Sequence, residues 1–238
     1  MRFSLVVPVY NEEENVVPLL DEVAEVLGGL GPHEVLMVDD ASSDRSVERM
    51  AQWKERHRAA WLRVVLLENN RGQSAAVMAG AERAGASIVL VMDGDMQNDP
   101  RDFARMLELV ESGEYEGVTG LRAQRKDTFV RRMSSRVGNR VRNWITGDRV
   151  LDAASGIKAF RRSVFLRLPR FHGMHRFMAT LARWTGARVT EIPVHHRPRQ
   201  AGQAKYGIGN RALRGLADCF AVRWYRRRWI DYAVKEER

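Results

Sequence analysis

The sequence predicts an α/β protein: a mostly parallel central sheet with helices on both faces, followed by a basic amphipathic helix at the C-terminus. Three observations predict it. Apolar runs of strand length recur along the first half of the chain, helical periodicities of ten to fifteen residues separate them, and each run ends abruptly in polar residues. Taken in order, Phe3–Val9, Glu34–Val38, Leu62–Glu68 and Ser87–Met92 are rich in Val, Leu, Ile or Met and bounded by turn formers, as buried strands are. Between them, Asn15–Leu27 places Val16, Leu19, Leu20, Val23, Val26 and Leu27 at helical spacing. Ser43–Arg58 and Gly72–Ala84 complete the alternation. The second half continues with a helix over Phe103–Glu111, a strand over Gly117–Leu121 and an amphipathic segment from Phe129 to Ile145. A strand near Gly156–Phe160, a helix near Met174–Thr185, a strand at Arg188–Pro193 and a helix over Tyr206–Arg228 follow. Its apolar stripe is read as Ile208, Leu213, Leu216, Phe220 and Trp224. The chain divides into a catalytic domain over residues 1–205 and a helical extension over residues 206–238.

Composition narrows the partners. The 238 residues carry 39 Lys+Arg against 30 Asp+Glu, a net charge of +9, so the protein seeks anionic partners. The excess is localised: nine Lys or Arg face two Asp between Arg122 and Arg149. Nucleic acid is not the expected partner, because aromatics are not interleaved through that segment and no helix-turn-helix or RNA-binding signature is present. The single cysteine, Cys219, excludes an internal disulfide and reads as packing. No run of about 18 apolar residues is present to span a bilayer, and the N-terminal run is too short for a signal peptide. A cytoplasmic protein, peripheral on the inner face of the membrane, is expected.

In a parallel α/β sheet ligands sit beyond the carboxyl ends of the strands. Three of the four strand ends here are acidic, and like charges gather only where a cation neutralises them. Asp93-Gly94-Asp95 is the sharpest signal. Two carboxylates on one tight loop present oxygens to Mg2+ or Mn2+, which bridges the phosphates of a nucleotide diphosphate and stabilises its departure; Gln97 offers a neutral third oxygen. One of Asp39 and Asp40 is placed to accept from a base N–H or a ribose hydroxyl, the other to cap the helix near Ser43. Pro8 and Tyr10 form a flat wall for a base, or core filling.

These motifs carry a resemblance. Pro8-Val9-Tyr10-Asn11-Glu12, Val38-Asp39-Asp40-Ala41-Ser42-Ser43-Asp44, Asn70-Arg71-Gly72 with Ala75 and Gly80, and Asp93-Gly94-Asp95-Met96-Gln97 occur in the order seen in family 2 glycosyltransferases. Asp152-Ala153-Ala154-Ser155-Gly156-Ile157-Lys158-Ala159-Phe160-Arg161-Arg162 and Arg199-Gln200-Ala201-Gly202-Gln203-Ala204-Lys205-Tyr206 resemble its polyisoprenyl-phosphate branch, which includes dolichyl-phosphate mannosyltransferase. The resemblance implies a GT-A fold, inversion at the anomeric carbon, and transfer of a hexose from a GDP- or UDP-sugar to a polyprenyl or dolichyl phosphate. It places Asp93, Asp95 and Gln97 at the metal, and Pro8, Tyr10, Glu12, Val38 and Asp40 in the nucleotide pocket with the Arg71 loop. It sets Arg199 and Lys205 over the donor diphosphate, and Arg122, Arg131 and Ser135 on the acceptor phosphate. Arg pairs two phosphate oxygens at once, and the four-residue step from Arg131 to Ser135 keeps both on one helical face. Asp152 is the one nearby carboxylate for a hydroxyl acceptor, and reads more readily as an orienting residue. Transfer to a lipid hydroxyl is the second reading. Many relatives continue into membrane-spanning helices. Here Phe220 to Trp229 interleaves aromatics with arginines, which suits either an interfacial helix or one packed on the domain.

Overall fold

The computed structural model describes residues 1–122, 129–153, 155–198 and 208–230, with side chains described outside 129–136 and 208–214. A seven-stranded sheet forms its centre. The strands are β1 (Phe3–Val9), β2 (His33–Asp39), β3 (Leu62–Leu66), β4 (Ile88–Val91), β5 (Gly117–Arg122), β6 (Lys158–Arg161) and β7 (Val189–Val194), in the spatial order β3-β2-β1-β4-β6-β5-β7. The helices are α1 (Val16–Leu27), α2 (Ser46–Arg56), α3 (Gln73–Arg83), α4 (Phe103–Glu111), α5 (Phe129–Thr146), α6 (Arg162–Leu166), α7 (Met178–Trp184) and α8 (Ile208–Arg228).

The strand period of two sorts β1 between two cores. Phe3, Leu5, Val7 and Val9 face α1, α2 and α4 with Leu19, Leu20, Trp53, Phe103 and Leu107, while Val6 faces α3 with Val77 and joins Phe160 and Phe165. Each such buried side chain contributes about 1.5–3 kcal/mol relative to exposure, which holds helices on both faces. Helix α8 lies against α5 and adds Cys219 and Val222 to the second core.

The expected alternation is present, with shifted ends. Helix α2 starts at Ser46 instead of Ser43, because Asp44 accepts the Ser46 N–H (2.9 Å) and holds residues 42–45 in a turn. The expected helix over Met174–Thr185 is a 3-10 turn at Met174–Arg176 followed by α7. Strand β6 is antiparallel to both β4 and β5. That reversal matters for function. Strands β1, β2, β4, β5 and β7 end at one rim, and the antiparallel β6 begins there, so Lys158 arrives at the rim from the opposite direction.

Candidate active site

Three non-glycine residues with positive φ follow β1, β2 and β4: Asn11 (49°), Ala41 (58°) and Met96 (60°). Such backbone costs free energy and persists where surrounding contacts over-determine it. Here the contacts are reciprocal. The Asn11 N–H donates to Ser42 Oγ (2.8 Å), the Ser43 N–H donates to Asn11 Oδ1 (2.8 Å), and the Glu12 N–H donates to Ser46 Oγ (2.9 Å). The loops after β1 and β2 are thereby locked together. Pro8 and Val38 are register partners on these strands, and Tyr10 is partly exposed at the tip. Glu12 accepts from Asn15 Nδ2 (2.6 Å) and caps α1 through its carbonyl.

Asp40 accepts the N–H groups of Arg71 and Gly72 (both 2.7 Å), fixing the loop that enters α3. Gly72 stands there at φ 82°, a conformation that favours glycine. The buried Asp39 spends one oxygen on the Ser42 N–H (2.9 Å), while its Oδ1 has no hydrogen-bond partner among the described residues. Asp39 Oδ1 is thus an open acceptor for a ligand, and each Asp40 oxygen, with one N–H bound, keeps a second lone pair. A cavity of about 520 Å³ opens beside this loop, lined by Arg71, Ser74, Phe171 and His172 among others.

The chemistry-bearing end lies across α3. Gln73, the first residue of α3, donates from Nε2 to Asp93 Oδ1 (2.7 Å). Burial pushes the Asp93 carboxyl up to about 6; the buried Lys158 ammonium opposes that shift, the neighbouring Asp95 adds to it and Arg122 opposes it. A β-carbon at Gly156 would run into the Asp93 carboxylate and reach within 2.8 Å of Asn98 Nδ2, so only glycine lets strand β6 approach this loop. Lys158 donates to the Ser155 carbonyl, and burial pulls its pKa down against the attraction of Asp93 and Asp152. Thr119 and Ser155 hydroxyls are buried here without partners among the described residues. Unsatisfied buried polar atoms on one rim are what a polar ligand site leaves before its ligand binds.

Arg122, at the end of β5, grips Asp152 through Nε (2.7 Å) and Nη2 (2.8 Å). The other three of its five N–H donors take no part in the Asp152 contact and can meet an outside anion. Gln97 donates from Nε2 to the Arg197 carbonyl (3.2 Å), and the Arg197 N–H returns to Gln97 O (2.8 Å). Arg197 itself forks onto Glu22 (2.7 and 2.9 Å) and reaches Asp99 (2.5 Å), and His195 pairs with Asp102 (2.8 Å). Asp93, Asp95, Arg122 and Asp152 are thus brought into one electrostatic cluster, and Pro8, Glu12, Val38, Asp40 and Arg71 line or brace the other end of the same rim. Arg131 and Ser135 lie on α5 with their side chains outside the described residues; Arg199 and Lys205 lie outside the described residues altogether.

The residues fit a divalent cation. Mg2+ takes one or two carboxylates plus substrate phosphates in preference to an all-protein cage. Two aspartates sit on one loop with the inner carboxyl pushed up chiefly by burial, and among the described residues no group of three or more His, Cys, Asp or Glu is arranged to hold an ion by itself. Sequence reading gave no role to Lys158 or Gln73, and left open which of Asp39 and Asp40 faces the ligand. The signal for Lys158 was present: one cation inside the apolar run Ile157–Phe160.

The model of the family described as "Glycosyl transferase family 2" matches residues 4–168, which include every element of this rim up to β6. The chain belongs to this family. A relative within it is the dodecaprenyl-phosphate galacturonate synthase of Rhizobium johnstonii, 35% identical over 235 residues, covering 95% of this chain and 68% of the relative. Another is the undecaprenyl-phosphate 4-deoxy-4-formamido-L-arabinose transferase of Edwardsiella ictaluri, 35% identical over 206 residues, covering 86% of this chain and 63% of the relative. The chain therefore spans about two thirds of the length of these family 2 relatives. Solved structures share the fold at lower identity. Glucosyl-3-phosphoglycerate synthase from Mycobacterium tuberculosis superposes with a TM-score of 0.70 at 18% identity, over 96% of this chain and 81% of that one. A mannosyltransferase from Pyrobaculum calidifontis in complex with GDP-Man and Mn2+ gives 0.61 at 23%, over 81% and 55%. The GT-A architecture implied by the family 2 motifs is the architecture observed.

Proposed function

We propose that this family 2 protein moves a sugar from a nucleotide diphosphate sugar to a polyprenyl phosphate at a membrane surface, with Mg2+ or Mn2+ held by Asp93 and Asp95. The observation that carries the reading is the placement of the Asp93–Asp95 loop and the Arg122–Asp152 fork on one rim, a leaving-group site beside an anion site. The relatives at 35% identity are both named as polyprenyl-phosphate sugar enzymes, which supports the acceptor class. The solved mannosyltransferase with GDP-Man and Mn2+ supports the donor class and the metal.

The residues divide the work. Asp39 Oδ1 takes a base or ribose donor, with Tyr10 and Pro8 as the wall beside it. Asp40 keeps the Arg71–Gly72 loop in place. A bound divalent ion would supply charge neutralisation for the departing diphosphate. Gln73 and Lys158 hold Asp93 in position for it. Arg122 presents its remaining donors to the acceptor phosphate, with Arg131 and Ser135 proposed on the same anion. A phosphate monoester is an anionic nucleophile at neutral pH, its second pKa being about 6, so it needs alignment more than a base. A lipid hydroxyl would need a carboxylate base, and both oxygens of Asp152 accept from Arg122. That favours the phosphate over the hydroxyl acceptor.

The membrane part rests on two helices. Val137, Val141 and Trp144 are exposed along one face of α5, and Leu216, Phe220 and Trp224 along one face of α8, which packs on α5. Arg226, Arg227 and Arg228 follow. Among the described residues no helix is long and apolar enough to cross a membrane. In this reading the exposed faces of the pair lie along the interface, on the cytoplasmic leaflet. The test is incubation with a panel of nucleotide sugars and membrane lipids, with mass spectrometry of the lipid product. A glycosylated polyprenyl phosphate formed only with divalent metal is the expected result. A glycosylated diacylglycerol, or no lipid product with any donor, overturns it.

A further inference from the structure

The segment after α5 has no regular structure, yet it delivers Asp152 to the rim. Its backbone N–H groups need acceptors from elsewhere. One side chain supplies two of them. Glu191, in the edge strand β7 beside Thr119 of β5, accepts the Leu151 N–H at both oxygens (2.9 and 3.1 Å) and the Asp152 N–H at Oε1 (2.9 Å). Its side chain is only 7% exposed, with Arg183 4.0 Å away as countercharge. A buried carboxylate is costly unless its lone pairs are used, and glutamate is a poor strand residue, so local folding gives no reason for it here. Asp152, thus held, orients Arg122 by accepting its Nε, its Nη2 and its backbone N–H (3.2 Å).

We propose that Glu191 is a positioning residue for the acceptor phosphate, acting through Asp152 on the Arg122 fork. The inference rests on the acceptor assignment above and names what sets its geometry. Nothing in the motif pattern singles Glu191 out, because it lies outside every motif and reaches the site through backbone contacts. Oε1 receives both N–H groups and Oε2 shares the Leu151 N–H; an amide in its place keeps one oxygen and turns its NH2 against the Leu151 N–H, donor to donor. Glu191→Gln therefore keeps the volume while loosening Asp152.

The test uses the full chain in detergent micelles with a short-chain polyprenyl phosphate and Mn2+, reading both acceptor binding by calorimetry and transfer kinetics. Glu191→Gln is expected to weaken acceptor binding and raise the acceptor KM by about 10-fold or more, as loss of a supporting hydrogen bond does, with donor KM and Tm unchanged. Combined with Asp152→Asn, it is expected to add little further, since both changes release the same fork. Glu191→Asp, charged but too short to span both N–H groups, is expected to behave like Glu191→Gln and serves if that variant folds poorly. Unchanged acceptor binding in both variants, equal damage to donor KM, or additive penalties with Asp152→Asn would overturn the inference while leaving the acceptor assignment standing. Wild-type protein that neither binds nor glycosylates the polyprenyl phosphate would overturn both.

Discussion

Asp93 shows at the scale of one residue how the site trades stability for chemistry. Its carboxyl titrates at about 6 in the folded protein, above the ordinary 3.8, chiefly because burial disfavours the anion. Between roughly pH 4 and 6 the folded chain binds a proton that the unfolded chain releases, so stability falls as pH rises through that window and the cost is complete above it. Asp93→Asn removes the cost while its amide oxygen still accepts from Gln73. The metal-free variant is expected to be more stable than wild type at pH 8, by an order of 1–3 kcal/mol, with the gain gone by about pH 4. Thermal unfolding across pH checks this; a gain that persists at pH 4 would assign it to something other than the charge. Mn2+ with a nucleoside diphosphate is expected to stabilise wild type and not the variant. Asp95→Ala is the complementary case. Its partly exposed side chain belongs to neither core. Transfer is expected to be lost with Tm retained, and near-normal turnover would remove Asp95 from the metal site.

At the scale of elements, α8 shows what periodicity leaves open. The stripe Leu216, Phe220, Trp224 suits an interface or the domain equally, and these residues are 40%, 55% and 62% exposed, while Cys219 and Val222 are the buried ones. The sequence pattern cannot distinguish the two apolar faces because the helix carries one on each side, and only the partner surface on α5 decides. Arg223 and Arg226 cap the Ile145 and Thr146 carbonyls (3.0 and 3.3 Å) and fix that choice. Two substitutions separate the faces. Phe220→Asp together with Trp224→Asp is expected to abolish cosedimentation with anionic vesicles while leaving Tm within about a degree, since exposed positions contribute little to folding. Val222→Asp buries an unpaired charge and is expected to lower Tm instead. Vesicle binding that survives the double substitution would mean that α8 faces something other than lipid. The strands show the opposite situation. Runs such as Phe3–Val9 were legible because burial on both faces writes a continuous apolar run, and the acidic strand ends were legible because carboxylates rarely cluster. The direction of β6 was not, since antiparallel insertion leaves no local mark. Glu191, which reaches the rim through backbone contacts, left no mark either, whereas Lys158 was marked as one cation in an apolar run but its side of the sheet was not.

At the scale of the whole molecule, the charge is arranged to serve two anionic ligands of different kinds. The net +9 comes from 39 cations against 30 anions, and its excess falls between Arg122 and Arg149 and at Arg226–Arg228. The acidic loops after β1, β2 and β4 gather instead at the donor end of the rim. A network joins the two regions. Arg142 of α5 stacks on Phe177 at 4.8 Å and donates to Thr180 Oγ1 (2.7 Å); Thr180 donates to Asp148, which accepts from Arg183 (2.9 Å), the countercharge of Glu191. Helix α5, proposed to lie against the lipid, is therefore tied through packed polar contacts to the proposed acceptor end. Two ligand classes should then separate by ionic strength. Exposed arginines near an anionic bilayer contribute about 1 kcal/mol each, and that attraction is screened as the Debye length falls from about 10 Å at 0.1 M salt to about 3 Å at 1 M. Binding to anionic vesicles is expected to weaken steeply over that range. The thermal shift given by GDP or UDP with Mn2+ is expected to change little, because the proposed contact is at the carboxylate rim and bridged by metal. Oligonucleotide is expected to give no shift at 0.15 M salt. A nucleotide shift as salt-sensitive as vesicle binding would place the diphosphate on the exposed basic surface instead of the carboxylate rim, and stabilisation by oligonucleotide would make the basic surface a nucleic-acid site.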